Sequence, residues 1–426
     1  MPLPEMWIPL RYHSAHAEMW RTEKRFIAAV AGRGSGKTEL ARRKIVMSLA
    51  IKKEWPDPIY AYCLPTYNQA KKVAWKPIIR LLPSNWIKKN GVNVSDMAIE
   101  TVFGSTLYVV GMDKPHRVEG LQLDGVILDE SSDQRPGVFE KTIIPMLTHR
   151  NGWCWRIGVP KRSGIGRIDF KHFFEKGLRG DENIASFHWR SSEILTPSQL
   201  EAERTQLDQQ DFDEQFNAQW LDIGGTIYHA FTMDNVSEDV RYDPGLPIYV
   251  GCDFNVDPMC WVLAHKNEDK VLVFDEVFKR NTNTETTLNL LKDSYAEHNS
   301  GWRYFGDATG RSRKTNAVKT DYIILKTQSG GKVYFPERNP SIRDRFACVN
   351  AALCNARGER HLIINPKCKR LITDLTMMSY KERTTEPEDY SGTDYGHMSD
   401  ALGYMIMRIL PMRVGQITAP VVVTMR

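Results

Sequence analysis

A chain of 426 residues, 42% hydrophobic and 26% charged, is long enough for two or more domains with separate cores, and no apolar run approaches the roughly 20 residues a membrane span needs. Its 57 Lys and Arg against 52 Asp and Glu leave a net charge of +5, too mild by itself to require a polyanionic partner. The seven cysteines (Cys63, Cys154, Cys252, Cys260, Cys348, Cys354 and Cys368) form no C-x-x-C pair and read as reduced, mostly buried thiols, against a zinc site or a disulfide frame; Glu5, Arg11 and His13, ahead of any long apolar stretch, argue against a secretory leader.

The first clear element is "RFIAAV" (25–30), a buried strand that runs straight into "AGRGSGKTEL" and a helix over 38–53. Gly32, Gly34 and Gly36 flank Arg33 and Ser35 and leave backbone N–H groups able to converge on phosphate oxygens; Lys37 then reaches the terminal phosphates and the Thr38 hydroxyl ligates Mg²⁺. Ala31 stands where the first glycine of G-x-x-x-x-G-K-[ST] belongs. A glycine-rich surface turn is the bland alternative, and the strand before and helix after favour the phosphate loop.

Further strands are expected at 58–65, 123–130, 152–160 and 184–192, with a hairpin over 98–111 turning at Gly104-Ser105. Alternating with helical stretches, they imply a mostly parallel sheet covered on both faces. "GVILDE" ends a strand with Asp129 and Glu130, 92 residues after Lys37. Asp129 is placed to hold Mg²⁺ and Glu130 to polarise the attacking water, against the alternative of a simple helix cap. Arg33 can swing toward the γ-phosphate as an arginine finger or merely pair with a carboxylate, and Arg117 in "PHRVEG" is a candidate finger for a neighbouring subunit. "GVPKRSGIG" (158–166) suits a moving loop near phosphates.

Residues 196–222 read as short polar helices ending in "FDEQFNAQWLDIGG", and Asp243-Pro244-Gly245 is the strongest break signal. The expected division is a phosphate-loop domain over 1–195, a linker subdomain over 196–240, a second domain over 241–412 and a tail over 413–426. After the break, "IYVGCDF", "MCWVLAHK" and "KVLVFDEVF" form an antiparallel meander, followed by strands in "WRYFGD" (302–307), "KVYFP" (332–336) and "HLIIN" (361–365) and a helix over 396–410. Asp253 and Asp307 stand where strands run out, and Asp400 shares a helix face with His397. Such carboxylates suit two Mg²⁺ or Mn²⁺ ions for phosphodiester cleavage, with Asp257 as an auxiliary ligand. Glu276 is less certain, because Asp275 and Glu276 point to opposite faces. Basic clusters (Lys161-Arg162 with Arg167 and Lys171; Arg311, Arg313 and Lys314; Lys367, Lys369 and Arg370) are solvated faces unless they adjoin a catalytic site.

Taken in order, "AGRGSGKT", "GVILDE", "FDEQFNAQWLDIGG", "GCDFNVDP", "FGDATG" and "GHMSDALGY" resemble the large terminase subunit of tailed double-stranded DNA bacteriophages over nearly the whole chain. The resemblance implies an α/β architecture: a P-loop ATPase domain with a mostly parallel sheet, joined through a small linker to an RNase H-like nuclease domain with a mixed sheet. It implies ATP hydrolysis through Lys37, Thr38, Asp129, Glu130 and Arg33, cutting of concatemeric DNA through Asp253, Asp307 and Asp400, and Mg²⁺, with Mn²⁺ possible at the nuclease site. It also implies double-stranded DNA, the portal protein of the procapsid and a small terminase subunit as partners, a homo-oligomeric ring of five on the portal, and action in the host cell cytoplasm. "PLRYHSAHAEMW" shows no clear adenine-contacting pattern, so the base-binding residues are not legible. The rival expectations are a helicase-like repair or restriction ATPase with a fused nuclease, and a nucleotide-gated DNA-binding scaffold.

Overall fold

Strands that are apolar on every residue need cover on both faces, and this requirement organises the first half of the chain. The computed structural model describes residues 7, 10–115, 118–221, 224–254, 257–311, 320–381, 384–390 and 394–410. They group into two compact units, one of residues 1–200 and 213–222, the other of 201–212 and 223–426.

The first unit is built on β1 (Phe26–Ala31), β2 (Ile59–Leu64), β3 (Ile87–Asn93), β4 (Ala98–Thr101), β5 (Thr106–Gly111), β6 (Gly125–Leu128), β7 (Trp153–Gly158) and β8 (Ile184–Trp189), in the order β3-β4-β5-β2-β6-β7-β1-β8. Pairings from β5 through β8 are parallel, whereas β3–β4 and β4–β5 are antiparallel. Successive side chains alternate between two cores. Ile27, Ala29, Tyr62, Ile127 and Trp155 pack with Leu40, Ala41 and Ile45 of the helix Lys37–Ser48. Ala28, Val30, Cys63, Val126, Leu128 and Cys154 pack on the other face with Phe170, Phe173 and Phe174 of the helix Arg167–Leu178. The strand β3, "IKKNGVN", is not foreseen from the sequence, because its lysines and asparagines carry no apolar alternation. It lies at the sheet's edge, where exposed charge guards against stray pairing.

The second unit is a mixed sheet of β9 (Ile248–Asp253), β10 (Met259–Asn267), β11 (Lys270–Lys279), β12 (Trp302–Gly306), β13 (Lys332–Tyr334) and β14 (Leu362–Ile364), ordered β13-β12-β9-β10-β11-β14. The expected meander is present as antiparallel β9–β10–β11, while β12 joins β9 in parallel. One face packs under the helices Ile342–Leu353 and His397–Ile409, the other under Thr284–Ser294 and Asp321–Gln328. All seven cysteines are free thiols, six of them buried. Among the described residues no helix is long and apolar enough to cross a membrane.

Candidate functional sites

In the first unit the loop between β1 and the helix Lys37–Ser48 is tied from several sides. The N–H of Gly32 donates to the Trp189 carbonyl (3.2 Å) and that of Arg33 to the Gln215 carbonyl (2.7 Å), while the Ser191 hydroxyl donates to the Arg33 carbonyl (2.6 Å). Ser35, buried, donates to the Gly32 carbonyl (2.6 Å); its own carbonyl accepts from His16 Nε2 (3.1 Å) and Trp189 Nε1 (3.0 Å). Gly34 is the exposed apex. At Gly36 φ is +84°, and a Cβ would stand 2.9 Å from the His16 ring, so only glycine fits the last step into the helix. Lys37 Nζ folds back onto the Gly32 carbonyl at 3.2 Å, and Thr38 follows it, half-buried, in the first turn.

Facing this loop, the end of β6 presents Asp129 and Glu130. The buried Asp129 carboxylate accepts from the Tyr62 hydroxyl (2.7 Å) and from the Glu130 N–H (2.9 Å). Burial pushes its pKa up, Glu130 adds to the rise, and Tyr62 and Lys37 oppose it. Glu130 has φ +52° and ψ 49°, a left-handed backbone that a non-glycine residue adopts at a cost of about 1–3 kcal/mol. Burial alone would raise its pKa, but Lys161 and then Lys37 outweigh it and hold the carboxyl down at about 2. Lys161 Nζ lies 2.7 Å from Glu130 and 2.5 Å from Asp133. Burial depresses Lys37 below the usual lysine range, against the pull of Glu130 and Asp129. The loop, Asp129, Glu130 and Arg33 therefore share one electrostatic environment. Arg117 lies outside the described residues.

The basic cluster at 161–167 is neither a solvated face nor a free phosphate-binding patch. Arg162 donates from its backbone N (2.6 Å) and Nε (3.0 Å) to the buried Glu214, and Arg167 bonds the Leu221 carbonyl.

In the second unit the register of β9 against β12 pairs Cys252 with Gly306, so Asp253 and Asp307 leave adjacent parallel strands at the same end. Gly251 lets the helix His397–Ile409 come close, since a Cβ there would stand 2.2 Å from the Ala401 carbonyl. The start of that helix is fixed by the buried Asp374, which accepts from the N–H groups of Met398 and Ser399 (3.0 Å each). Burial lifts Asp374 to about 6 against those hydrogen bonds. Asp400, one turn inside, accepts from Arg345 at 2.7 Å; burial pushes it up to about 6, with Arg345 opposing. His397 Nδ1 stands 3.0 Å from Asp253, and that hydrogen bond raises the imidazole's pKa. Asp307 accepts from the Thr309 hydroxyl (2.5 Å). Burial pushes the Tyr404 hydroxyl up; Arg345 opposes, and Asp400, Asp307 and Asp253 each add to the rise.

The three acids thus gather at one end of the sheet. Among the described residues, however, no group of three His, Cys, Asp or Glu side chains stands close enough to hold a metal ion. The donor chemistry is that of hard divalent cations, all carboxylate oxygen and no thiolate, while Arg345 and His397 stand where positive charge is needed. Asp257 is exposed and paired with Arg280 at 3.3 Å. Glu276 spends both carboxylate oxygens on the N–H groups of Arg370 and Leu371 (2.9 Å each), capping the helix Lys369–Met377. Of the basic clusters here, Lys367 pairs with Asp275 and Arg370 with Asp394. The side chains of the 311–314 cluster lie outside the described residues.

Sequence reasoning passed over Tyr62, Asp374, Arg345 and Glu214. Each acts through a partner remote in sequence; Glu214 lies within "FDEQFNAQWLDIGG", but nothing there points to Arg162, and for the others a buried charged residue in an apolar helix, such as Arg345 in "IRDRFACVN", is the nearest thing to a signal.

No family model matches this sequence. It is similar to the terminase large subunits of Thermus phage G20c and Thermus virus P23-45, each 25% identical over 250 residues, 50% of this chain and 49% of the relative. The chain spans about half the length of these curated relatives. Its fold is that of the large terminase of a thermophilic bacteriophage, which it matches over 94% of this chain and 100% of the other, with a TM-score of 0.60 at 16% identity. The ADP complex of the same phage protein matches with a TM-score of 0.59 at 17% identity.

Proposed function

We propose that this chain is the large subunit of a phage terminase, in which ATP hydrolysis by the first unit drives double-stranded DNA into a capsid and the second unit cuts concatemeric DNA. The observation that carries this reading is the pairing, on one chain with a large-terminase fold, of a glycine loop facing Asp129-Glu130 with three aspartates at one end of a separate mixed sheet.

At the first site the loop N–H groups beyond Arg33, together with Lys37, would bind the phosphates, since those of Gly32 and Arg33 are held by the Trp189 and Gln215 carbonyls; Arg33 bears on the terminal phosphate, Thr38 and Asp129 would be the oxygen donors for Mg²⁺, and Glu130 orients water. Tyr62 holds the Asp129 carboxylate in place. When bound, the divalent ion offsets phosphate charge and polarises the γ-phosphate. At the second site Asp253, Asp307 and Asp400 are the metal donors. Arg345 pairs with Asp400 and His397 with Asp253, so two of these carboxylates are charge-compensated as they stand. DNA is gripped through phosphates, so binding is salt-dependent and largely sequence-independent. The portal, a small terminase subunit and a ring of identical copies are the partners that go with this role, in the cytoplasm of an infected host; residues 196–240 serve as the linker and Arg117 as a finger for the neighbouring copy.

The test separates the two activities. Glu130→Gln abolishes ATP turnover and leaves Mn²⁺-dependent plasmid cleavage; Asp253→Ala does the opposite. If both variants keep wild-type rates of both reactions, the reading fails.

A further inference from the structure

Beside the last helix of the second unit lies a cavity of about 180 Å³ with aromatic walls: Phe305 of β12, Tyr334 of β13 and Tyr404 of the helix His397–Ile409, with Met407 on the same helix. Phe305 and Tyr334 are stacked across the strand pair, 5.0 Å between centroids and 9° between planes. Because β13 is the edge strand, no further strand covers this side. Arg338 and Arg408 also line the cavity, both exposed and, among the described residues, without a carboxylate partner. Other arginines at this end of the sheet are paired, Arg345 with Asp400 and Arg280 with Asp257. Two guanidinium groups with no counter-ion, set around aromatic rings, match an anion that carries a flat ring.

The cavity adjoins the three acids. Its Gly306 precedes Asp307, and its Tyr404 comes one turn after Asp400, with the hydroxyl in the field of all three carboxylates. The loop that carries Arg338 is tied to the same place, since the Ala308 N–H donates to Asn339 Oδ1 (2.6 Å) and Pro336 and Pro340 stiffen it on either side. The cavity therefore keeps its position relative to Asp307.

We propose that this cavity takes the base of one unpaired nucleotide next to the phosphate that is cut, with Arg338 and Arg408 on that nucleotide's own phosphate. The rings offer a stacking surface that any base can use, and the arginines a phosphate contact that carries no sequence information. The space suits one base and excludes a base pair, so the duplex opens locally at the cut, most cheaply where a base is already unpaired. The inference rests on the nuclease reading and adds to it the form of DNA that is cut.

The probe is a duplex with one unpaired 2-aminopurine, compared with the fully paired duplex of the same sequence; each is bound to the full chain in Ca²⁺, so that the strands stay intact. Wild-type chain binds the bulged duplex about tenfold tighter, the scale of one base stacked on aromatic side chains, and quenches the 2-aminopurine. Met407→Trp, which fills the cavity, brings the two affinities within about twofold and leaves the paired duplex as before. Arg338→Gln with Arg408→Gln, confined to exposed side chains, weakens the bulged duplex and makes its salt slope shallower by about two. Equal affinity for both duplexes in the wild type, which is what a pocket for a partner protein's side chain gives, overturns the inference. So does a preference that survives Met407→Trp, or an unchanged salt slope in the arginine variant. Plasmid cleavage in Mn²⁺ is read in parallel. Cleavage without the bulge preference removes this inference alone; the full pattern of preference in a chain that does not cut leaves a nucleotide site and removes the nuclease reading alone.

Discussion

The two sites are assembled by different routes. In the first unit the glycine-loop residues from Gly32 to Thr38 are consecutive, and the facing acids are neighbours on one strand end, so short stretches of chain set much of the geometry. In the second unit Asp253, Asp307 and Asp400 are separated by 54 and 93 residues and meet only through the parallel register of β9 with β12 and the close approach of a helix over Gly251. At the first site the sheet has only to bring two preformed segments face to face, the loop after β1 and the acids after β6, across the intervening β7. The second inherits every error in sheet register or helix placement.

The sharpest way to expose that contrast is to remove one functional group at each site. Lys37→Ala should cut ATP turnover by about 10²–10³-fold, the scale of a preorganised electrostatic contact, with melting of the second unit unchanged. Asp307→Ala should cut cleavage by a similar factor and leave ATP turnover within error. A variant of one site that reduces both activities equally would break the comparison.

Structural variants should bear unequally on the two sites. Gly251→Ala puts a methyl group against the Ala401 carbonyl and should destabilise the second unit by about 3 kcal/mol, the upper range for overpacking, with cleavage lost before ATP turnover. Asp374→Ala removes the acceptor for two helix-terminal N–H groups and should cost about 1–2 kcal/mol. Chemical denaturation followed by tryptophan fluorescence reads both. Normal cleavage by folded Gly251→Ala would show that the helix does not position Asp400.

The same contrast explains what could be read from the sequence. The glycine loop, "GVILDE" and the apolar strands were legible because each is a local pattern whose chemistry and periodicity lie in adjacent residues. Asp253, Asp307 and Asp400 were legible as strand-end and helix-start acids. Their partners were not: the sequence sets His397 on one helix face with Asp400, whereas it bonds Asp253, and Arg345 lies 55 residues from Asp400 with nothing in its segment to announce the pair. Glu276 shows the limit plainly. Alternation on β11 says only that one of Asp275 and Glu276 faces inward, whereas the structure turns Glu276 to cap a helix nearly a hundred residues later. The loop at 158–166 was legible as glycine-rich and basic, but which acids its lysine and arginine meet depends on strand order.

The smallest expected effect concerns pH and belongs to the first site. His16 is buried behind the loop, donates from Nε2 to the Ser35 carbonyl, and has the His13 ring beside it, 4.8 Å between centroids, with Glu193 on the far side of His13. Burial and then His13 lower its pKa to about 4, from 6.5 in an unstructured chain. Above pH 6.5 both states are neutral at this residue and its contribution to stability is complete. As pH falls from 6.5 toward 4 the unfolded chain takes up a proton that the folded chain refuses, so stability drops across that window; below 4 both are protonated and the contribution stops changing. His16→Gln keeps an N–H donor for Ser35 but cannot titrate. The urea midpoint of the first unit should therefore fall less steeply between pH 6.5 and 4 in His16→Gln than in the wild-type chain, while the second unit's midpoint responds identically in both. Equal slopes for the first unit would mean that His16 is not the group that couples the glycine loop to acid.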